Sequence, residues 1–324
     1  FPTRRSSDLT YKWTLSLSAP LRWTGYTGVG FSRISVNPSL SIIYKLNYAW
    51  RFTVHASYKE RYGEMTDLYD RPYQTDYRNS VWNCGILPVY RQQLYSVYGE
   101  YKNTAREFFA TVNLTHNREW YNRIYEQRIE NGQIQRVSLP LSNHGSGYTV
   151  KSTLSKGFYD LGLKTSLLAL LNISKAEQIS GGQRLPYQYR LMRLEPKVIW
   201  TPNRHWETSY QTDIRYGGSK IGERTRLAPL WNVTQQVQLS YIFSPIEASL
   251  SVDHYHNDVN EDQSVNAVFA DFSVLSRRLQ ITATATNLFD KRTYGYTRYA
   301  SLESYTSWVR IRPREFLVAI RYQL

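Results

Sequence analysis

The run Asp253-His254-Tyr255-His256-Asn257-Asp258 places His254 and His256 at i and i+2. On an extended chain that spacing sets two imidazoles on one side, where they can share a metal ion. A site needs further ligands, and no third one is identifiable, so the run reads as a strand end passing into a polar rim. Asp67, Asp70 and Asp76 share a segment with Tyr69, Tyr73 and Tyr77, but the spacing is not that of a calcium loop, and a solvated loop is expected. His116, His144 and His205 carry no signature of a nucleophile's base. Phosphate-cradling glycine loops, zinc spacings and nucleophile elbows do not occur. Cys84 is the single cysteine, which excludes an internal disulfide. The expectation is no enzyme, no cofactor and no metal.

Aromatic residues carry a different chemistry. Tyr69, Tyr73, Tyr77 and Trp82, then Trp120, Tyr121 and Tyr125, fall in long polar segments where the chain is expected to be exposed. Aromatic faces beside carboxylates and amides can grip sugars or cyclic ligands, which makes these seven the candidate ligand-binding residues. The alternative is that they pack loop against loop or belong to an aromatic girdle. With 28 tyrosines in the chain, that alternative is the more economical reading.

The elements that must position these residues are strands. Trp50, Phe52, Val54, Ala56 and Tyr58 oppose Arg51, Thr53, His55, Ser57 and Lys59; Ile246, Ala248, Leu250 and Val252 oppose Glu247, Ser249, Ser251 and Asp253. A period of two is the strand period. At the chain end Phe316, Val318, Ile320, Tyr322 and Leu324 share one face, opposite Glu315, Ala319, Arg321 and Gln323 with Leu317. The same rhythm predicts about fourteen strands, near 11–24, 31–47, 50–61, 88–101, 105–118, 147–157, 161–173, 187–200, 205–216, 231–243, 246–257, 264–276, 278–289 and 314–324. Tight joins are expected at 46–49, 103–106, 157–160, 201–204, 244–245 and 276–278. Long polar segments alternate with them at 62–88, 119–146, 175–186, 217–230 and 291–313.

Short connections on one side and long ones on the other belong to a transmembrane β-barrel. Mean hydropathy is -0.52, and charged residues make up 20% of the chain. The longest plain apolar run, Leu167 to Leu171, is far short of the roughly 18 residues of a membrane helix. Only a closed barrel then crosses a bilayer, and its alternating faces hide apolarity from an average. A soluble sandwich also alternates, but its strands are usually about five or six residues long. The fold class predicted is therefore all-β, a transmembrane antiparallel barrel.

The stretch Ala285-Thr286-Asn287-Leu288-Phe289-Asp290-Lys291-Arg292-Thr293-Tyr294, followed by Arg312-Pro313-Arg314-Glu315-Phe316 and the last strand, resembles the C-terminal end of TonB-dependent outer-membrane receptors. In that family the penultimate strand typically ends in Asn-Leu-Phe-Asp-Lys and a tyrosine, so Asn287, Leu288, Phe289 and Asp290 are the matching positions. The Tyr-rich version with Arg-Pro-Arg-Glu-Phe resembles the barrels of Bacteroidetes-type bacteria. Family members usually end on Phe or Trp, whereas this chain ends on Leu324.

The resemblance implies a barrel of 22 strands preceded by a plug domain. About fourteen strands then imply that about eight strands, the plug and the energy-coupling box lie outside this sequence. Residues 1–9 look like translated sequencing adapter, leaving 10–324 as the C-terminal part of the barrel. The implied function is energy-coupled uptake of a large or scarce ligand such as a siderophore, glycan, peptide or cofactor; the alternative is a passive or structural barrel without energy coupling, and behind it an outer-membrane enzyme. Implied partners are the barrel assembly machinery, the TonB energy-transducing complex through the N-terminal region, and a surface lipoprotein. The implied location is the outer membrane, with short turns and C-terminus periplasmic and long loops extracellular. Leaving out Arg4, Arg5 and Asp8 takes the formal charge from +14 to +13. These cations are scattered rather than clustered, which argues against nucleic acid and for outer-membrane lipid and lipopolysaccharide phosphates.

Overall fold

The structure is a computed structural model that describes residues 12–26, 30–83, 85–130, 133–222, 225–226, 229–258, 265–275, 279–300 and 303–322. In chain order its strands begin with β1 Trp13–Ser18, β2 Leu21–Tyr26, β3 Phe31–Val36, β4 Ser39–Lys45, β5 Trp50–Tyr62, β6 Tyr73–Gln74, β7 Asn79–Trp82 and β8 Val89–Asn103. Next come β9 Phe108–Tyr121, β10 Ile124–Glu130, β11 Gln133–Leu139, β12 Asn143–Phe158, β13 Leu163–Ser180, β14 Gln183–Asn203, β15 Trp206–Ile221 and β16 Thr225–Arg226. The rest are β17 Leu230–Phe243, β18 Ile246–Asn257, β19 Val265–Leu275, β20 Leu279–Thr286, β21 Thr293–Ala300, β22 Glu303–Arg310 and β23 Glu315–Tyr322. Nineteen of these belong to one large sheet; β2 with β3, and β21 with β22, form separate hairpins.

The all-β class is as expected, and the strand count exceeds the expected fourteen or so for two physical reasons. Pro20 and Pro38 lack an N–H and break the first two predicted strands at the same level, between the pairs Ser18↔Ser39 and Leu21↔Val36. The long polar segments also hold strands of their own: β6 and β7, β10 and β11, β16, and β21 and β22. The β10–β11 and β21–β22 hairpins are polar along much of their length, so the lipid-type alternation that betrays the wall strands is missing from them. The joins at 46–49, 104–107, 159–162, 204–205 and 244–245 are short as expected; 276–278 lies outside the described residues.

Several short joins share one device. Asn47 Oδ1 accepts from the N–H of Ala49 and Trp50 at 2.8 and 2.9 Å, and Asn203 Oδ1 from His205 and Trp206 at 2.9 and 3.1 Å. Asn103 Oδ1 accepts from Arg106 N–H at 3.0 Å. An Asn that bonds its own backbone two or three residues on closes a turn locally. Gly162, at φ 59°, is required where it stands, since a Cβ there would lie 2.0 Å from the Thr201 carbonyl oxygen.

Two compact units divide the chain. The first comprises 1–102, 111–149 and 175–186; the second comprises 103–110, 150–174 and 187–324. In the first, β1, β4, β5 and β8 pair in register, giving the apolar row Leu15↔Ile42↔Val54↔Val97 beside the polar row Ser16↔Ser41↔His55↔Ser96. Val54 and Val97 are 46% and 48% exposed. Following this apolar face along β5 and β8 from the short turn, the pairs run Trp50↔Tyr101, Phe52↔Gly99, Val54↔Val97, Ala56↔Tyr95, Tyr58↔Gln93 and Glu60↔Arg91. At about 3.3 Å per residue and the roughly 40° tilt of barrel strands, Trp50 to Glu60 covers about 25 Å, the height of an apolar band.

The second unit repeats the segregation. Across β18, β19, β20 and β23 run the apolar rows Ile246↔Val274↔Ile281↔Ile320 and Ala248↔Phe272↔Ala283↔Val318, with Glu247↔Ser273↔Thr282↔Ala319 between them on the other face. Phe316, Val318, Ile320 and Tyr322 are all more than half exposed. Leu324 lies outside the described residues. Trp200, Trp206, Tyr241 and Phe243 gather by the short joins, with Trp206 and Tyr241 rings 4.7 Å apart. Among the described residues only Ile124, Val137, Ile179, Leu230 and Val268 are buried hydrophobics. So much exposed apolar face with so little core requires an apolar solvent on one side of the sheet.

Candidate functional site at the long-loop rim

In the first unit the strands outrun the apolar band, and the polar face of β8 and β9 ends in a knot around Glu119. Its Oε1 accepts from Tyr90 Oη at 3.0 Å, Gln92 Nε2 at 3.1 Å and Asn117 Nδ2 at 3.0 Å; its Oε2 accepts from Tyr121 Oη at 2.8 Å. Alternation puts Asn117, Glu119 and Tyr121 together on one side of β9. The Tyr90 and Tyr121 rings lie 4.9 Å apart, and the Arg61 guanidinium sits 4.6 Å over Tyr90. Both tyrosines lie beyond the apolar band. Burial, then the bond to Glu119, pushes the Tyr121 phenol up; burial, then the Glu119 charge, does the same to Tyr90.

Above this knot the polar segments form an ordered cap. Ile124 and Val137, 0% and 2% exposed, lie in β10 and β11, and Ile179 of the β13 end is also buried. Short parallel pairings join β10 to β13 at Glu126↔Ile179 and β11 to β7 at Ile134↔Asn79. The cap carries a stack of cations on an aromatic ring: Arg136 lies 3.6 Å and Arg123 4.9 Å from the Tyr125 centroid. Arg123 Nη2 bonds Asp67 Oδ1 at 3.0 Å, while its Nη1 is buried without a hydrogen-bond partner.

The seven aromatic candidates do not converge. Tyr121 is in the Glu119 knot and Tyr125 in the arginine stack. Tyr69 and Tyr73 pack edge to face at 6.1 Å, and Trp82 donates its Nε1–H to Asp70 Oδ1 at 3.3 Å. Tyr77 is 79% exposed, with Arg78 5.3 Å from its ring. Trp120 precedes Tyr121 within β9, so alternation sends it to the other face. Asp67, Asp70 and Asp76 have separate partners: Asp76 takes the Asn79 side-chain Nδ2–H, then the N–H of Arg78 and of Asn79, which hold its carboxyl below the usual carboxylate range. Among the described residues no three His, Cys, Asp or Glu side chains gather as a metal site. Sequence reasoning missed Arg61, Tyr90, Gln92, Asn117, Glu119, Arg123 and Arg136, because strand register, not local spacing, brings them together.

The second unit's polar face is charged. Arg193 grips Asp213 through two bonds, at 3.0 and 2.9 Å, and also pairs with Glu195 at 2.6 Å; Arg215 meets Asp213 at 2.5 Å. Asn232 Oδ1 accepts from Tyr255 Oη and Asn257 Nδ2, at 2.8 and 2.5 Å. Such a face suits water or a polar filling rather than a protein core.

No protein-family model matches the chain, and no curated protein does. Solved structures do match. A mutant of the ferric enterobactin receptor of Pseudomonas aeruginosa aligns with a TM-score of 0.56 and 10% identity, over 97% of this chain and 51% of that one. A second mutant of that receptor gives 0.56 at 11% identity with the same coverage. A third, in complex with enterobactin, gives 0.50 at 11% identity over 96% and 51%. The fold is the all-β barrel fold of these structures. The chain spans about half the length of these receptors.

In this fold the sharp C-terminal motif works as a staple. Asn287, 4% exposed and at φ 50°, donates from Nδ2 to the carbonyls of Lys291 and Arg312, both at 2.8 Å, and accepts from Lys291 N–H at 3.0 Å. Leu288 N–H bonds the Val268 carbonyl at 3.1 Å, while Phe289 is 60% exposed. Asp290, at φ 51°, accepts from Arg314 N–H at 3.1 Å and from the Arg292 guanidinium. Those bonds hold the Asp290 carboxyl low. Asn and Asp are the non-glycine residues that tolerate this left-handed backbone, which explains their types here.

Proposed function

We propose that this chain is wall and rim of an outer-membrane receptor that captures a scarce ligand at its long loops and imports it with energy relayed from the inner membrane. Carrying the reading is the segregation of the sheet into an exposed apolar face and a polar, hydrogen-bonded one, in a fold shared with a ferric enterobactin receptor. The long-loop rim is then extracellular, and the short turns and C-terminus periplasmic. At the rim the Arg123, Tyr125 and Arg136 stack, with a buried guanidinium nitrogen that lacks a partner, suits an anionic ligand with aromatic rings, such as an iron-catecholate chelate. Tyr69, Tyr73, Tyr77, Trp82 and Trp120 are outlying contacts in this reading, and Tyr121 is anchored beneath.

The test is expression of the natural reading frame in a Gram-negative host lacking its own catecholate receptors. The expected result is a heat-modifiable outer-membrane protein whose intrinsic fluorescence is quenched by ferric catecholate, with iron uptake abolished by an uncoupler. Uptake that persists after uncoupling would instead identify a passive channel. The variant Tyr125→Ala is expected to weaken quenching about tenfold, in keeping with a lost cation-aromatic contact; unchanged quenching would remove the stack from the site.

A further inference from the structure

On the outward face of the first unit the apolar band ends in cations. Beyond Val54↔Val97 the rows become Ala56↔Tyr95, Tyr58↔Gln93 and Glu60↔Arg91. On β9 and β12 the same level carries His116, whose ring stacks 4.2 Å from Tyr148 and 6.4 Å from Tyr95. Arg118 Nε–H donates to His116 Nε2 at 3.2 Å, and His116 Nδ1 lies 3.0 Å from the Gly147 carbonyl oxygen. Arg91 gives its Nε–H to Glu60 at 3.0 Å and keeps its side chain 45% exposed; Arg118 is exposed as well. Arg33 is the second cation on Glu60, at 3.9 Å. Two guanidinium groups therefore stand on one carboxylate and a third, that of Arg118, on the His116 ring, with aromatic rings below them and hydrocarbon-type side chains below those.

We propose that this patch binds the phosphate of an anionic glycolipid in the outer leaflet. The inference rests on the reading of the chain as an outer-membrane wall. Glu60 and Arg91 stand about 25 Å from the short-turn girdle, which is where acyl chains give way to headgroups. Planar guanidinium forks match phosphate oxygens two at a time, and the Tyr95, His116 and Tyr148 rings suit the interface just beneath. Net positive charge there complements phosphate, whereas the same cations would gain nothing from a zwitterionic headgroup.

The test uses the protein in its natural reading frame, in nanodiscs of phosphatidylethanolamine carrying trace bisphosphorylated or dephosphorylated lipid A, with retained lipid A read by native mass spectrometry. The expected result is retention of the phosphorylated form over the dephosphorylated one. The double variant Arg91→Gln, Arg118→Gln should retain at least fivefold less, and Arg118→Lys, which keeps the charge but loses the fork, should fall between it and the unaltered protein. Lys59→Gln, one position from Glu60 but on the opposite face, should change nothing. Equal retention of both lipid forms, or an undiminished signal in the double variant whose barrel still shifts on heating, overturns the lipid site alone. Failure of the unaltered protein to enter nanodiscs overturns the membrane reading with it.

Discussion

Glu60 and Glu119 are held in opposite ways on opposite faces of one sheet. Arg91, which bonds Glu60, and Gln92, which bonds Glu119, are consecutive residues of β8, so the two carboxylates stand at nearly the same level. Each takes two tyrosines: Tyr58 and Tyr62 on Glu60, Tyr90 and Tyr121 on Glu119. The difference lies in the rest. Glu60, facing outward at the edge of the apolar band, is neutralised by guanidinium groups. Glu119, facing inward, is bonded by neutral donors alone. An ion bordering hydrocarbon must be paired, whereas one bordering a wet interior need only be solvated, here by amide and phenol groups.

Arginine substitution on the two faces of β23 should separate them most. Ile320→Arg, on the outward row with Ile281, is expected to cost about 2 to 4 kcal/mol near the band's middle, and Ala319→Arg, opposite, a fraction of that. Urea titration of the vesicle-inserted protein measures both, and equal costs would break the assignment of inside and outside. Next in size, a double-mutant cycle between Glu119→Ala and Tyr121→Phe should give a coupling of about 1.5 to 3 kcal/mol, insensitive to salt, as for a hydrogen bond to a charge. The corresponding cycle for Glu60 and Arg91, with Arg91 half exposed, should give about 1 kcal/mol or less and shrink in 1 M salt. A salt-sensitive Glu119 cycle would contradict the contrast drawn between the two.

The smallest effect concerns pH. Burial, then the Glu60 bond, pushes the Tyr62 phenol up to about 12. A raised folded-state value means a contribution that is complete below the unfolded tyrosine value of about 10 and lost as pH climbs through about 12. Alkaline melts should therefore sag in that window, and Tyr62→Phe should flatten the sag; an unchanged curve would show that the phenol gains nothing from Glu60.

How much was legible in the sequence follows from the solvent each part meets. Wall strands such as β5, β18 and β23 announce themselves because lipid admits only apolar side chains on alternate positions. Hairpins such as β10–β11 face water or other loops, so no such constraint marks their sequence. The Glu119 knot draws Tyr90 and Gln92 from 29 and 27 residues away, and Arg123 meets Asp67 across 56, separations that only register can join. Asn287 to Asp290 was visible as a motif, but the carbonyl of Arg312, 25 residues on, gives it its role.

That staple makes the end of the chain modular. Asn287 ties the close of β20 to Lys291 and to Arg312, and Ile311 N–H bonds the Arg292 carbonyl at 2.9 Å, so the β21–β22 hairpin is clamped at its base. Whatever lies beyond the clamp can lengthen, shorten or change composition without moving the register of β23 against β20. A loop on such a mount is a natural graft point: foreign peptides inserted near the hairpin tip should leave the wall as it was, and the same clamp lets the hairpin change at little risk to the register of β23.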